Sequence, residues 1–243
     1  MKTKIITLIA IIGIIIIASC KKNNPGPGSS GLSGATGLLK RTVLVETANG
    51  QTDSVVTTFG YDGQNRLTEQ IALTYYSGII GVVDTNIYTF TNGTVVDNGS
   101  RGYHVIYYLN GMGYKASDNL NLGDSWSYNA NGYLDTIATP GSIVFYTYND
   151  SNELVSDYNL SSGITTYDTY VYPYPAKPTT VAPSSNWISG SAPTTLYSAD
   201  VQVRNTDTTI FSYAYVLNAQ NRLTQQTVTS PGVTTVVTYY SYY

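Results

Sequence analysis

Charged residues are scarce in this chain, and their scarcity excludes several classes of protein. They make up 11% of the 243 residues, where a globular chain usually has about a quarter. The net charge is −3, and the Lys and Arg residues form no basic patch. Such a chain has little means of neutralising phosphates, so we expect no nucleic-acid partner.

Histidine and cysteine are rarer still, which removes most catalytic and metal chemistry. The chain has one His and one Cys, so it can form no internal disulfide and has no His pair for zinc. His104 alternates with Tyr103 and Val105, as expected for a strand residue with a structural role. No serine nucleophile elbow or phosphate-binding loop is present. We therefore expect no enzymatic activity, no metal and no cofactor.

The one long apolar run lies at the N-terminus and has the order of an export signal. Lys2 and Lys4 precede an apolar run over residues 5–17, and small residues follow up to Cys20. The run is too short for a comfortable membrane span. It predicts a signal peptide over residues 1–19. A plain secretion signal and an uncleaved anchor are the alternatives to the lipoprotein signal that is described below. Residues 20–37, rich in Gly, Ser and Pro, are predicted to be a flexible tether.

The composition after the tether favours strands. Tyr, Thr, Ser and Asn take the place of charged residues, and together they favour strands and turns over helices. Turn signals such as Asn49-Gly50 and Asn92-Gly93 recur along the chain. We predict one all-β domain over residues 38–243. Its architecture is an antiparallel up-and-down meander of roughly 14 strands, forming a barrel or a strongly curved sheet.

One nine-residue hairpin motif recurs five times in this domain. It has the order aromatic, any, Tyr or Leu, Asp or Asn, any, any, Gly or Asn, any, Leu. The copies begin at Phe59, Tyr107, Trp126, Tyr146 and Tyr215, and the copy at Tyr107 has Lys115 in the Leu position.

Two positions of the motif predict the turn. The seventh tolerates positive φ, which a three-residue hairpin loop needs at its third residue; it is occupied by Asn65, Gly113, Gly132, Asn152 and Asn221. The fourth can accept hydrogen bonds from the turn's own amides; it is occupied by Asp62, Asn110, Asn129, Asn149 and Asn218.

The motif also predicts a register. In the first copy we expect Tyr61 to pair with Leu67 and Phe59 with Glu69. Paired residues share a face of the sheet, so the two aromatics and Leu67 should form an apolar cluster. The odd-numbered residues of 67–75, which are mostly apolar, are predicted to pack while the even-numbered ones face water.

Two parts of the sequence resemble known families. Ile17-Ala18-Ser19-Cys20 is similar to the lipobox of bacterial lipoprotein precursors, which implies a membrane partner through lipid on Cys20. The hairpin motif resembles the YD repeats of Rhs-type proteins. With the Lys177-Pro178 loop, the chain resembles a group of uncharacterised bacterial lipoproteins of unknown function with a porin-like fold. This resemblance implies a meandering barrel at the outer membrane, on its periplasmic or cell-surface side, and no activity.

A proline-rich segment interrupts the strand rhythm. Residues 172–195 contain five prolines and Trp187, and proline cannot donate to a β-ladder. A loop of this length either has a function or packs as a plug or lid. We predict Trp187, and Trp126 in a motif strand, as contacts for a glycan or an envelope protein. The many tyrosines could also bind sugars, but a role as packing residues explains them more simply.

The leading hypothesis is a non-enzymatic, lipid-anchored binding or scaffold module of the cell envelope. One alternative is a glycan-acting hydrolase that uses aspartates near one rim. These aspartates are Asp53, Asp84, Asp135, Asp168 and Asp207. They could instead bind calcium or cap turns. An integral outer-membrane barrel is another. It needs an apolar lipid-facing band, whereas the expected exposed alternates are Thr, Ser, Asn and Gln.

Overall fold

The computed structural model describes residues 38–48, 51–120, 123–161, 163–172, 196–204, 207–230 and 235–243. The described residues are strands and their connections, and none belongs to a helix long and apolar enough to cross a membrane. The predictions for residues 1–37, including Cys20, and for Trp187 lie outside the described residues.

In the described ranges, sixteen antiparallel strands form one sheet. In chain order they are β1 Leu39–Ala48, β2 Gln51–Tyr61, β3 Leu67–Tyr76, β4 Ile79–Thr91, β5 Thr94–Gly99, β6 His104–Leu109, β7 Lys115–Asp118, β8 Ser125–Tyr128, β9 Leu134–Thr139, β10 Ser142–Tyr148, β11 Leu154–Ser161, β12 Ile164–Val171, β13 Ala199–Arg204, β14 Asp207–Leu217, β15 Leu223–Thr229 and β16 Thr235–Tyr242. Strands that are consecutive in sequence are neighbours in the sheet, except that β7 does not pair with β8. The predicted all-β meander is therefore confirmed. The sheet has more strands than expected because ladders of only four residues, β7 and β8, are separate strands.

The first and last strands close the sheet into a nearly complete barrel. β1 pairs with β16 along its length, which leaves β7 and β8 as the two edges. Side chains bridge the gap between β7 and β8, which we call the seam. The Tyr128 hydroxyl donates to the Lys115 carbonyl across it, at 2.7 Å. The Lys115 ammonium also lies 3.4 Å from the centre of the Trp126 ring, a cation–π contact across the seam.

All five motif hairpins have the same turn geometry. The seventh position has a φ of 61°, 78°, 79°, 60° and 56° at Asn65, Gly113, Gly132, Asn152 and Asn221, respectively. The side-chain oxygen at the fourth position accepts backbone N–H bonds from residues two and four places ahead in every copy. A side-chain cap and a left-handed residue therefore close each loop together.

One extra residue follows each of these turns. The predicted pairing of Phe59 with Glu69 is wrong, because Phe59 faces Gln70 and Gly60 faces Glu69. The other four copies have the same register shift just after the Leu position. Each shift is a β-bulge on the returning strand, in which two residues oppose one.

The bulge reverses which side chains of the returning strand face the barrel interior. Leu67 faces inward with Phe59, and because Phe59 pairs with Gln70, Gln70 also faces inward. Side chains alternate along a strand, so Ile71 and Leu73 face outward. The prediction that the odd residues of 67–75 share one packed face is therefore wrong beyond Leu67.

Tyrosine hydroxyls connect four of the motif hairpins to neighbouring parts of the barrel. A bulge disrupts the ladder locally, and in four copies the carbonyl at the Leu position accepts a hydrogen bond from a tyrosine of the neighbouring strand pair. The donors and acceptors are Tyr128 to Lys115, Tyr148 to Leu134, Tyr172 to Leu154 and Tyr242 to Leu223, at 2.6–2.9 Å. These bonds satisfy carbonyls that would be costly to bury unpaired.

A buried apolar cluster lies where the first and last strands meet. Leu39 packs with Phe59 and Leu67, so the predicted cluster around the first motif is confirmed and extended by the first strand. Tyrosines of β2, β4 and β16 pack against it: Tyr61, Tyr88, Tyr240 and Tyr242.

We expect Asn221→Ala to lower the free energy of unfolding by about 1 kcal/mol, because alanine is strained at positive φ. Asn221→Gly should be neutral or slightly stabilising, since glycine adopts this conformation freely. Gln220→Ala, at an exposed position of the same turn, is the control and should change stability by less than about 0.5 kcal/mol. Urea denaturation measures all three, and equal stability of the Ala and Gly variants would contradict the role of the left-handed residue.

Candidate functional site

The outward face of the barrel is almost without charge. Among the paired outward positions of the described strands, only Arg41 and Glu69 are charged, and both lie near the motif turns. Thr, Ser and large apolar side chains take most of the remaining positions. Those that are 36–51% exposed are Val83, Ile87, Tyr108, Phe145, Tyr158, Leu160, Tyr167, Val171, Ile210, Val216 and Tyr239. The outer wall is therefore mixed apolar and hydroxyl in character.

The inward face carries most of the acidic side chains of the strands. Glu46, Asp97, Asp157 and Asp200 are all buried. Asp157 lies three residues after the Leu position of its motif copy, and the bulge after Leu154 is what turns it inward. The barrel thus has carboxylates inside together with the buried apolar cluster, and its outer face, which was expected to be polar, carries exposed apolar side chains.

Three of the inward carboxylates meet on one wall and form what we term the acidic cluster: Asp157 on β11, Asp168 on β12 and Asp200 on β13. Asp157 pairs directly with Asp168, and Asp200 pairs with Tyr170, two residues along β12 from Asp168. The Tyr170 hydroxyl donates to Oδ2 of Asp157 at 2.6 Å. The three carboxylates are therefore cross-strand neighbours on the inner face.

Several polar atoms of this wall are buried without a hydrogen-bond partner. They are Oδ1 of Asp168, Oδ1 of Asp200 and the hydroxyl of Tyr213 on β14. Asp200 is only 1% exposed and Tyr213 only 8%. The ion pairs found in the described residues lie elsewhere, at Arg66–Asp62, Arg101–Asp84 and Lys115–Asp118. Burying such atoms unpaired costs free energy.

Burial raises the pKa values of all three carboxylates of the cluster. Burial raises the pKa of Asp200 to about 7, and the charges of Asp168 and Asp157 add to the effect. Burial, followed by the charge of Asp157, raises the pKa of Asp168 to about 6. Burial also raises the pKa of Asp157, against which the hydrogen bond from Tyr170 acts. Like charges this close lose their protons as a coupled group.

Tyrosine rings line the wall beside the cluster. The Tyr170 and Tyr197 rings are 4.9 Å apart between centroids, and Tyr197 and Tyr213 make an edge contact at 4.7 Å. The carboxylates therefore lie next to a continuous aromatic surface that spans β12 to β14.

The predicted contact residue Trp126 lies away from this cluster. It is half-buried on β8, beside the seam, where the Lys115 ammonium covers its ring. Lys115 in turn pairs with Asp118 at 3.1 Å. His104 lies on the outward face of β6, and its Nδ1 makes a 2.8 Å hydrogen bond with the Asn98 side chain.

The five aspartates expected at one rim do not form a ring. Asp53 and Asp207 lie at the end of the barrel opposite the motif turns, Asp135 lies beside a motif turn, and Asp84 and Asp168 lie within the wall. The predicted rim arrangement is therefore wrong, because these residues sit at different heights. Within the described ranges, no three His, Cys, Asp or Glu side chains are grouped closely enough to hold a metal ion.

Sequence reasoning identified Asp168 but missed its partners Asp157 and Asp200. The available signal was the alternation in Asp200-Val201-Gln202-Val203, where polar and apolar residues take opposite faces. Alternation alone does not tell which of these two faces points into the barrel.

The end of the barrel that carries the motif turns, here called the motif rim, also carries the start of the first strand and the end of the last. β1 begins and β16 ends there, and the Tyr243 amide donates to the Leu38 carbonyl at 3.0 Å. β12 also ends at this rim and β13 begins there. Any tether preceding Leu38 therefore attaches at the motif rim.

Two solved structures share this architecture. A porin-like protein from Bacteroides uniformis ATCC 8492 superposes with a TM-score of 0.69 at 16% identity, covering 86% of this chain and 99% of that chain. A porin-like protein from Bacteroides vulgatus ATCC 8482 gives 0.56 at 9% identity, covering 84% and 99%. The expected porin-like fold is thus confirmed, and identities this low show the fold alone. No protein-family model and no curated protein matches the chain.

Asp200→Asn is expected to flatten the dependence of folding stability on pH. The folded-state pKa of Asp200, about 7, lies above its unfolded value, so the native chain loses stability as pH rises from about 4 to about 7. The variant should therefore be more stable than the native chain by about 1–3 kcal/mol at pH 8 and by much less at pH 4. Urea unfolding at both pH values measures this difference.

The control is Asp207→Asn, at the exposed start of β14, which should show little change between the two pH values. The groups that share the environment of Asp200 are Asp157, Asp168, Tyr170, Tyr197 and Tyr213. An Asp200→Asn effect of the same size at pH 4 and pH 8 would show that this carboxylate is not protonated in the folded chain near neutrality.

Proposed function

We propose that this chain is a non-enzymatic binding module of the bacterial cell envelope, anchored by lipid on Cys20, with a ligand site on the inner wall of its barrel. The observation that carries the binding role is the set of buried polar atoms without partners on β12–β14. A protein retains such atoms at a free-energy cost, and a bound ligand that pairs with them removes that cost.

The anchoring role is supported by sequence and topology together. Ile17-Ala18-Ser19-Cys20 is similar to a lipobox, and the chain enters β1 at the motif rim. A flexible tether over residues 20–37 has a root-mean-square length of about 25 Å. The motif rim would then face the membrane, and the opposite rim, with its short turns, would face away from it.

The partner that we propose is a glycan or an envelope protein, as expected from the tryptophans. The segment containing Trp187 begins and ends at the motif rim, so a glycan or envelope protein bound there would lie close to the membrane. Trp126 is less suited to this role, because Lys115 already covers its ring. The hydrolase alternative loses its support, since the aspartates on which it depended lie at different heights.

An integral outer-membrane barrel is the second candidate, favoured by the nearly uncharged outer wall. Polar side chains inside and apolar side chains outside are typical of such barrels. Strand length argues against it, because a membrane-spanning strand needs about 9–11 residues. β5, β6 and β9 have six residues each, and β7 and β8 have four. This part of the wall is too short to cross the hydrocarbon layer.

Membrane fractionation separates the two candidates. The native chain is compared with a variant in which residues 1–20 are replaced by a cleavable secretion signal without cysteine. We expect the native chain in the membrane fraction and the variant in the soluble fraction without detergent, because the lipid is the anchor. A folded variant that stays in the membrane and needs detergent for extraction would contradict lipid anchoring alone and favour the integral barrel.

The binding role is tested by thermal denaturation of the mature chain with two sets of small molecules, uncharged sugars and amines. We expect at least one set to raise the melting temperature in a saturable way. If neither set does so at millimolar concentration, the binding site on the inner wall is contradicted, whatever the fractionation shows.

A further inference from the structure

We propose that one half of the motif rim binds the anionic headgroups of a phospholipid membrane. This inference rests on the proposed lipid anchoring, and it specifies which surface of the barrel meets the membrane and by which chemistry. Its basis is a group of cationic side chains that gather around the end of β16, beside the start of β1.

The cationic side chains at this place form what we term the basic sector: Lys40, Arg41, Arg66 and Arg222. Lys40 and Arg41 lie at the start of β1 and are exposed. Arg41 pairs with Ser241 in the ladder between β1 and β16. The Lys40 ammonium lies 5.4 Å from the centre of the Tyr243 ring, directly after β16. These two cations therefore flank the end of the last strand.

The two arginines of the sector come from motif turns on either side. Arg222 lies in the turn between β14 and β15, and its guanidinium is 5.6 Å from the centre of the Tyr242 ring. Arg66 lies in the turn between β2 and β3, and Tyr61 at the start of that turn makes an edge contact with Tyr243 at 6.2 Å. In the sheet, β2 and β3 lie on one side of β1 and β16, while β15 and β14 lie on the other. The sequence alone shows no basic patch because these residues lie far apart along the chain.

The charge of the motif rim is unevenly distributed. The carboxylates beside the basic sector belong to Asp62, which pairs with Arg66 at 2.7 Å, and to Glu69. Four cationic against two anionic side chains leave the sector with a net charge of +2. The hairpins β8–β9 and β10–β11 carry no Lys or Arg, and beside their turns they have three carboxylates, Asp135, Asp150 and Glu153. One half of the rim is therefore basic and the other half acidic.

A membrane surface fits the basic half better than a free anion does. Three of the four cations form no ion pair within the described residues, the exception being Arg66. Tyr243 between them is 48% exposed, and tyrosine rings are favoured at the level of lipid headgroups. Two further lysines follow Cys20 in the sequence, so the tether would add their charges beside the same surface. Clustered Lys and Arg residues close to a membrane anchor are typical of binding to anionic lipids.

Vesicle co-sedimentation tests the inference with the variant whose residues 1–20 are replaced, because a lipid anchor would hold the native chain on any vesicle. The vesicles contain either phosphatidylcholine alone or equal parts of phosphatidylcholine and phosphatidylglycerol. We expect binding to the anionic vesicles only, and its loss as salt rises from about 20 mM to about 500 mM, because salt screens exposed charges. Glycerol 1-phosphate should displace the chain no more than NaCl of equal ionic strength does.

The Lys40→Gln/Arg41→Gln double variant should bind the anionic vesicles at least about tenfold more weakly, since each Lys or Arg at an anionic surface contributes roughly fivefold to binding. Arg101→Gln/Arg204→Gln is the matched control. It removes the same charge from exposed positions in the β5–β6 turn and at the end of β13, both away from the motif rim. Its binding should change by less than about threefold. Circular dichroism and the melting temperature of each variant show that it is folded.

Binding through the basic sector is overturned if folded Lys40→Gln/Arg41→Gln binds as the parent does, or if the control weakens binding equally, since total charge alone would then matter. Specific displacement by glycerol 1-phosphate also overturns it, in favour of a site for a free phosphate. A chain that binds neither kind of vesicle overturns it as well and leaves lipid anchoring, which fractionation of the native chain tests, intact. A chain that binds both kinds equally and needs detergent for extraction contradicts both.

Discussion

The single extra residue after each motif turn is the constraint on which the rest of this barrel depends. The left-handed residue and the capping side chain fix the turn, and the bulge that follows shifts the alternation of the returning strand by one. Everything beyond the bulge then faces the opposite side from the one that simple alternation predicts. The bulges cost little free energy, because tyrosine hydroxyls donate hydrogen bonds to the carbonyls beside four of the five bulges.

The same shift determines the character of the candidate site. Without a bulge after Leu154, Asp157 would face outward with Tyr158 on the interior side; with it, Asp157 lies inside opposite Asp168. The short repeat thus does two things at once. It builds the sheet hairpin by hairpin, and it turns acidic residues into the interior, where burial raises their pKa values.

Much of the architecture was predictable because it is encoded locally. The Gly/Asn position and the capping position each depend on a few adjacent residues, and strand composition indicated the meander. The bulge was not predictable from one sequence, since Thr68 or Val155 has no feature that marks it as an extra residue. The acidic cluster was missed for a related reason: it assembles from β11, β12 and β13, and residues 172–198 separate the last two of these in sequence.

The most direct test of this account is cysteine labelling of β3 in the variant whose residues 1–20 are replaced, which contains no other cysteine. Single cysteines at Gln70, Ile71, Ala72 and Leu73 are exposed to a bulky maleimide under native conditions. The account predicts rapid labelling at 71 and 73, on the outward face, and slow labelling at 70 and 72, on the inward face. Rapid labelling at 70 and 72 with protection at 71 and 73 would contradict the bulge and the inner wall built upon it.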